Sequence, residues 1–222
     1  MFVKAELSDF DISYHLRCSF IKKSKRISYP NAPYTILEII DVTEITMKRS
    51  IGLWQLLGFA VTSLGGTVLH FLYDWLGEVA WIAPFSGVNE STWEHMKLLF
   101  WPMLIFAVVQ SFFFRDRENF WCVKLRGIIL GLVLIPILFY TYNGVLGKSP
   151  DWINITIFFI SAATSYIYET RLFNADDNKA RCRSPKLAIG VLCVIALLFV
   201  VFTFLTPEIA IFKDPLTKIY GI

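Results

Sequence analysis

Five long apolar stretches constrain this chain more than any other feature in it. They run over approximately 51–73, 92–114, 122–144, 152–170 and 186–206, each close to the roughly 20 residues that a helix needs to cross a bilayer core of about 30 Å. A backbone surrounded by lipid finds no water for its amides and carbonyls, so stretches of this kind are helical. The expected fold class is therefore all-α, a polytopic membrane helix bundle with about five transmembrane helices. Composition agrees: 55% of the 222 residues are hydrophobic and 18% are charged, against roughly 25% charged in ordinary soluble domains.

The basic residues predict an orientation. Lys48 and Arg49 precede the first stretch, Arg115, Arg117, Lys124 and Arg126 fall in "RDRENFWCVKLR" around the junction of the second and third, and Arg171, Lys179, Arg181, Arg183 and Lys186 fall in "ETRLFNADDNKARCRSPK" around the junction of the fourth and fifth. The alternate connections, 74–91 and 145–151, hold Lys148 alone. Positively charged loops stay on the cytoplasmic side. The expected protein is thus multi-pass in the cell membrane, with a cytoplasmic N-terminus and an extracytoplasmic C-terminus, although Lys213 and Lys218 in the closing tail run against this. A net charge of +3 divided among short clusters offers no broad basic face for nucleic acid. The partner implied is the lipid bilayer, and no protein partner is indicated.

Cys18, Cys122, Cys182 and Cys193 show no C-x-x-C pair and no recurring spacing, which suggests neither a zinc knuckle nor a disulfide framework. Residues 1–46 are of a different material. They mix charges with short apolar runs, include "KKSKR", and have no clear helical or strand period. "MKRSIGLW" from Met47 reads as an ordinary membrane-protein start, and Thr43-Glu44 can be encoded with a ribosome-binding sequence. The expected division is a poorly patterned extension over 1–46, either an over-extension of the start or a cytoplasmic tail, and a transmembrane helical domain over 47–222.

"VNESTWEHMKLLFWP" stands at the threshold of the second stretch. Asn89 suits a helix N-cap, and acidic residues in a first turn favour the positive end of the helix dipole. Glu90, Glu94 and Lys97 share a helical face, so Glu94 and Lys97 form a candidate i,i+3 pair, while His95 is turned away to the face of Ser91 and Pro102. In the first stretch Gly58, Thr62, Gly66, His70 and Asp74 recur every four residues, a small and polar stripe suited to close helix packing. Asn154, Ser161, Ser165 and Glu169 form a sparser stripe in the fourth, with Glu169 read as solvated beside Arg171. Gly127 and Gly131 make a G-x-x-x-G packing surface in the third. The expected site is a cluster at the extracytoplasmic mouth, in which His70, Glu94 and His95 converge and Asp74, Asn89 and Glu90 support them. Two chemistries suit that set. One is a hydrogen-bonded network locking the first two helices together, and the other is a divalent metal such as zinc with an open position for water.

"VNESTWEHMKLLFWP" together with the closing "FKDPLTKIYGI" resembles a family of uncharacterised small integral membrane proteins of Firmicute bacteria, a domain of unknown function with an N-E-S-x-W-E-H motif and a D-P-x-T-x-x-Y-G-I C-terminus. The resemblance covers approximately Met47 to Ile222. It implies the membrane fold and carries no activity or catalytic residues. No P-loop, G-x-G-x-x-G, G-x-S-x-G or H-E-x-x-H motif occurs. Three classes stay open, in this order: an accessory or structural membrane protein, an extracytoplasmic metalloenzyme of hydrolase type using the cluster, and a small transporter.

Overall fold

The computed structural model describes residues 34–147, 150–175 and 184–222. Five α-helices appear among them: α1 Tyr34–Trp75, α2 Thr92–Ser111, α3 Phe120–Leu146, α4 Asp151–Phe173 and α5 Pro185–Phe204, followed by a 3-10 turn over Ala210–Phe212. No strand occurs among the described residues; one isolated bridge joins Lys213 to Tyr220. The all-helical expectation holds. The chain divides into two compact units, Met1–Ile45 and Thr46–Ile222, and every contact below lies in the second.

The helix ends follow local chemistry. Ser91 caps α2, its Oγ accepting the Glu94 N–H at 3.4 Å, so Ser91 rather than Asn89 holds the cap position. Ser184 caps α5 in the same way, accepting from Leu187 N at 3.3 Å, with Pro185 in the first turn, where its missing N–H is no loss. Gly147 closes α3 in a left-handed conformation, φ 64°, and its N–H meets Asn143 O at 2.8 Å.

α1 begins at Tyr34, inside the stretch read from sequence as unpatterned; its run of isoleucines, valines and threonines is rich in β-branched residues, which blur a helical signal. Residues 1–33, and the basic residues between 176 and 183, lie outside the described residues. Cysteine spacing also misled: Cys122 is disulfide-bonded, because spacing along a chain does not report which residues packing brings together.

Three segments, Ser50–Trp75, Phe120–Leu146 and Pro185–Phe204, are long and apolar enough to cross a membrane. α2 and α4 are diluted by polar residues, and those residues point inward: Glu94, Lys97 and Gln110 on α2 and Asn154, Ser161, Ser165 and Glu169 on α4 are all buried. A helix enclosed by its neighbours can carry such groups where a lipid-facing one cannot. The core joins Leu99, Phe100 and Met103 of α2 to Ile128 and Leu132 of α3, Phe158 and Tyr166 of α4, and Leu192 and Phe199 of α5. The small-residue stripe of α1 faces this core, with Gly66 against the Leu98 carbonyl and the Phe158 ring, so closely that a Cβ would overlap them.

Candidate functional site

The 76–91 loop and the tail after α5 meet at one end of the bundle, the loop end. The short 112–119 turn marks the opposite, or turn, end. Polar groups concentrate at both.

At the loop end, Glu94 is nearly fully buried and pairs with Lys97 Nζ at 2.5 Å, while also accepting the Val88 N–H at 3.1 Å. This is the i,i+3 pair expected from the helical spacing. Lys97, with no exposed surface, also donates to Ala83 O at 2.8 Å and Thr203 Oγ1 at 3.2 Å. Its ammonium therefore ties α2 to the loop and to α5, with all three of its donors engaged.

The histidines converge on a different carboxylate. His70 Nε2 lies 3.5 Å from Glu90 Oε1, and His95 Nε2 lies 3.6 Å from Glu90 Oε2; the two rings are 6.0 Å apart. His95 Nδ1 is 2.9 Å from Ser91 O. A carbonyl can only accept, so this nitrogen carries a proton, and Nε2 is the atom turned toward Glu90. Separations of 3.5 and 3.6 Å exceed hydrogen-bond length, and the site is partly exposed. Of the three residues named from sequence as the centre, the structure thus brings His70 and His95 together, with Glu90 between them, and commits Glu94 to Lys97. Asn89 supports the arrangement, accepting from Ser91 N at 2.9 Å. Asp74 is exposed, and its carbonyl rather than its side chain is engaged, by Gly77 N. Among the described residues no group of three or more His, Cys, Asp and Glu is placed to hold a metal ion.

The turn end holds a second site that the sequence analysis missed. Lys124, there taken for a loop cation, is buried and reaches Glu169 Oε2 at 2.7 Å and Gln55 Oε1 at 3.5 Å. Glu169 is likewise fully buried rather than solvated. The rings of Tyr166, Phe106 and Phe120 stand 5.4, 5.7 and 5.9 Å from the ammonium, near enough for cation–π attraction. Gly127 leaves the space that the Glu169 carboxylate fills, where any Cβ would overlap it. One signal was legible: Ser161, Ser165 and Glu169 continue at a spacing of four, which places Glu169 on the inward face. Next to this site Thr62 and Tyr166 share a hydroxyl hydrogen bond of 2.7 Å.

A cavity of about 10 Å³ is lined by Thr92, His95, Asn154 and apolar side chains of α3 and α4. That is room for about one water. Tyr142 donates to Asn154 Oδ1 at 2.9 Å.

A family model described as a family of unknown function (DUF6512) matches residues 43–222. No curated protein and no solved structure matches the chain.

Proposed function

The chain belongs to that family of unknown function, and from this premise we propose that it is a multi-pass integral membrane protein with a structural or accessory role. In this reading all five helices cross the bilayer. The turn end is cytoplasmic, because the basic residues Arg115, Arg117 and Arg171 gather there, and the loop end and C-terminus are extracytoplasmic. The observation that carries the reading is the closure of both interior lysines within the bundle. Lys97 and Lys124 each meet a buried glutamate, and the cavity of about 10 Å³ between α2, α3 and α4 is lined by neither lysine. Charges arranged in this way join helices, whereas a transporter needs space for its cargo and an enzyme needs a cleft for its substrate.

Thermal unfolding of purified protein in detergent tests this. Neutralising either pair should lower stability, and replacing both partners together with apolar residues should restore it. Unchanged stability accompanied by loss of solute flux in reconstituted vesicles would overturn the reading. Cys122 lies at the turn end and is disulfide-bonded, which runs against a cytoplasmic turn end because stable disulfides belong to oxidising compartments, so orientation is tested by labelling Cys122 from each side of the membrane before and after reduction. Labelling confined to the extracytoplasmic side would invert the topology.

One observation favours a second reading, an extracytoplasmic metal-dependent activity: His70 and His95 turn their Nε2 atoms to the two oxygens of Glu90, and Ser91 O orients His95 as an outer-shell partner would. A divalent metal such as zinc would require these side chains to close in further, with or without Glu94. Elemental analysis of the purified protein decides: stoichiometric metal, lost in His70→Ala and His95→Ala, would favour it over the structural role.

A further inference from the structure

We infer that residues 206–222 form a strap that closes the loop end of the bundle and, through Asn89, holds Glu90 between His70 and His95. The tail is built rather than trailing. Asp214, buried, accepts from Leu216 N at 2.6 Å, Thr217 N at 3.3 Å and Thr217 Oγ1 at 2.8 Å. Its own N–H reaches Ile219 O at 3.0 Å, and its carbonyl takes Lys218 N at 3.0 Å. This knot reverses the chain, so that Lys213 pairs with Tyr220 and the last residues run back toward the helices.

Two fastenings hold the returned chain. Phe212, buried, lies against Trp93 of α2 at 4.6 Å and Phe202 of α5 at 5.6 Å between ring centroids. Gly221, at φ 71°, packs on Thr206 so closely that a Cβ would overlap its hydroxyl, and its carbonyl accepts from Asn89 Nδ2 at 3.0 Å. Both the left-handed conformation and the contact demand glycine.

Asn89 is where the strap meets the histidine cluster. Its Nδ2 holds the tail while its Oδ1 accepts from Ser91 N, and Glu90 lies between these two residues in the chain. Ser91 in turn caps α2 and supplies the carbonyl for His95. The position of the Glu90 backbone is therefore fixed on both sides, on one of them by the tail. The two sequence signatures, 132 residues apart at Asn89 and Gly221, constitute one structural unit.

The test uses the full chain in detergent or nanodiscs. Hydrogen exchange is followed over 206–222 and 88–96, with peptides around Lys124 and Glu169 as the folding control. In the unmodified protein both segments should be protected. Gly221→Ala should accelerate exchange in both together, on the order of tenfold for the loss of a part-buried hydrogen bond with its packing. It should also speed diethyl pyrocarbonate modification of His95 while leaving the control peptides unchanged. If the control peptides change as well, Asn89→Ala, which removes the fastening without the clash, replaces it with the same expectation. A tail that exchanges freely in the unmodified protein, or a released tail that leaves 88–96 and His95 unaltered, would overturn the inference.

Discussion

The two ends of the bundle each bury a lysine–glutamate pair, and they build it differently. At the loop end Glu94 and Lys97 are three residues apart on one helix, so the pair can form as soon as α2 does. At the turn end Lys124 and Glu169 are 45 residues apart on α3 and α4, and neither has this partner until those helices pack. Lys97 has alternatives in Ala83 O and Thr203 Oγ1, whereas Lys124 has Gln55 Oε1 at 3.5 Å and aromatic faces. A local pair with spare acceptors is a joint that tolerates injury, and a non-local one with few acceptors is a lock.

The sharpest way to break the comparison is Glu169→Gln. It leaves the Lys124 ammonium buried without its counter-charge, and should lower unfolding stability in detergent by about 3–5 kcal/mol. The double variant Lys124→Met with Glu169→Leu should recover most of that loss, because it removes both desolvated charges. A single variant as stable as the parent would mean that the pair is not a lock.

Glu94→Gln comes next. Lys97 keeps two acceptors, so the expected loss is roughly 1–3 kcal/mol, the range for an imperfectly satisfied buried group. Measured under the same conditions, a loss equal to or greater than that of Glu169→Gln would erase the distinction between the ends. Tyr166→Phe removes the hydroxyl bonded to Thr62 beside the lock and should cost about 1 kcal/mol. Combined with Thr62→Val it should cost little more, since that substitution also removes the stranded partner. The smallest effect belongs to Glu90→Gln at the partly exposed histidine cluster, where even a charged pair contributes about 0–1 kcal/mol. A larger shift in unfolding temperature would place that cluster among the structural joints.

The five helices were legible in the sequence because a long apolar run admits few other structures, and the expected stretches fall on α1 to α5 within a few residues at each end, except that α1 begins at Tyr34, well before the expected 51. Small residues carried real information too: the Gly58–Gly66 stripe and the Gly127–Gly131 pair both face neighbours where no larger side chain fits. The loop-end site was legible in part. Glu94 and Lys97 could be paired by helical spacing alone, and His70 and His95 were placed at the same end, but Glu90 rather than Glu94 lies between them. Glu90 precedes α2 in the loop instead of lying on the helix, so the spacing that put Glu90, Glu94 and Lys97 on one face does not apply to it, and the path of the loop decides which glutamate meets α1. At the turn end, Lys124 beside Arg115, Arg117 and Arg126 reads as one more basic loop residue, and nothing local distinguishes it from them.

The sequence by itself determined the helices, their approximate limits, the direction of their small-residue faces and the local Glu94–Lys97 pair, because each of these depends on residues within a turn or two of one another. The tertiary structure alone decided that Lys124 is buried against Glu169, that Glu90 sits between His70 and His95, and that Asn89 holds Gly221. Those contacts join residues on different helices or opposite ends of the chain. Their partners are chosen by the rotation and offset of packed helices, and these are set by the whole core at once.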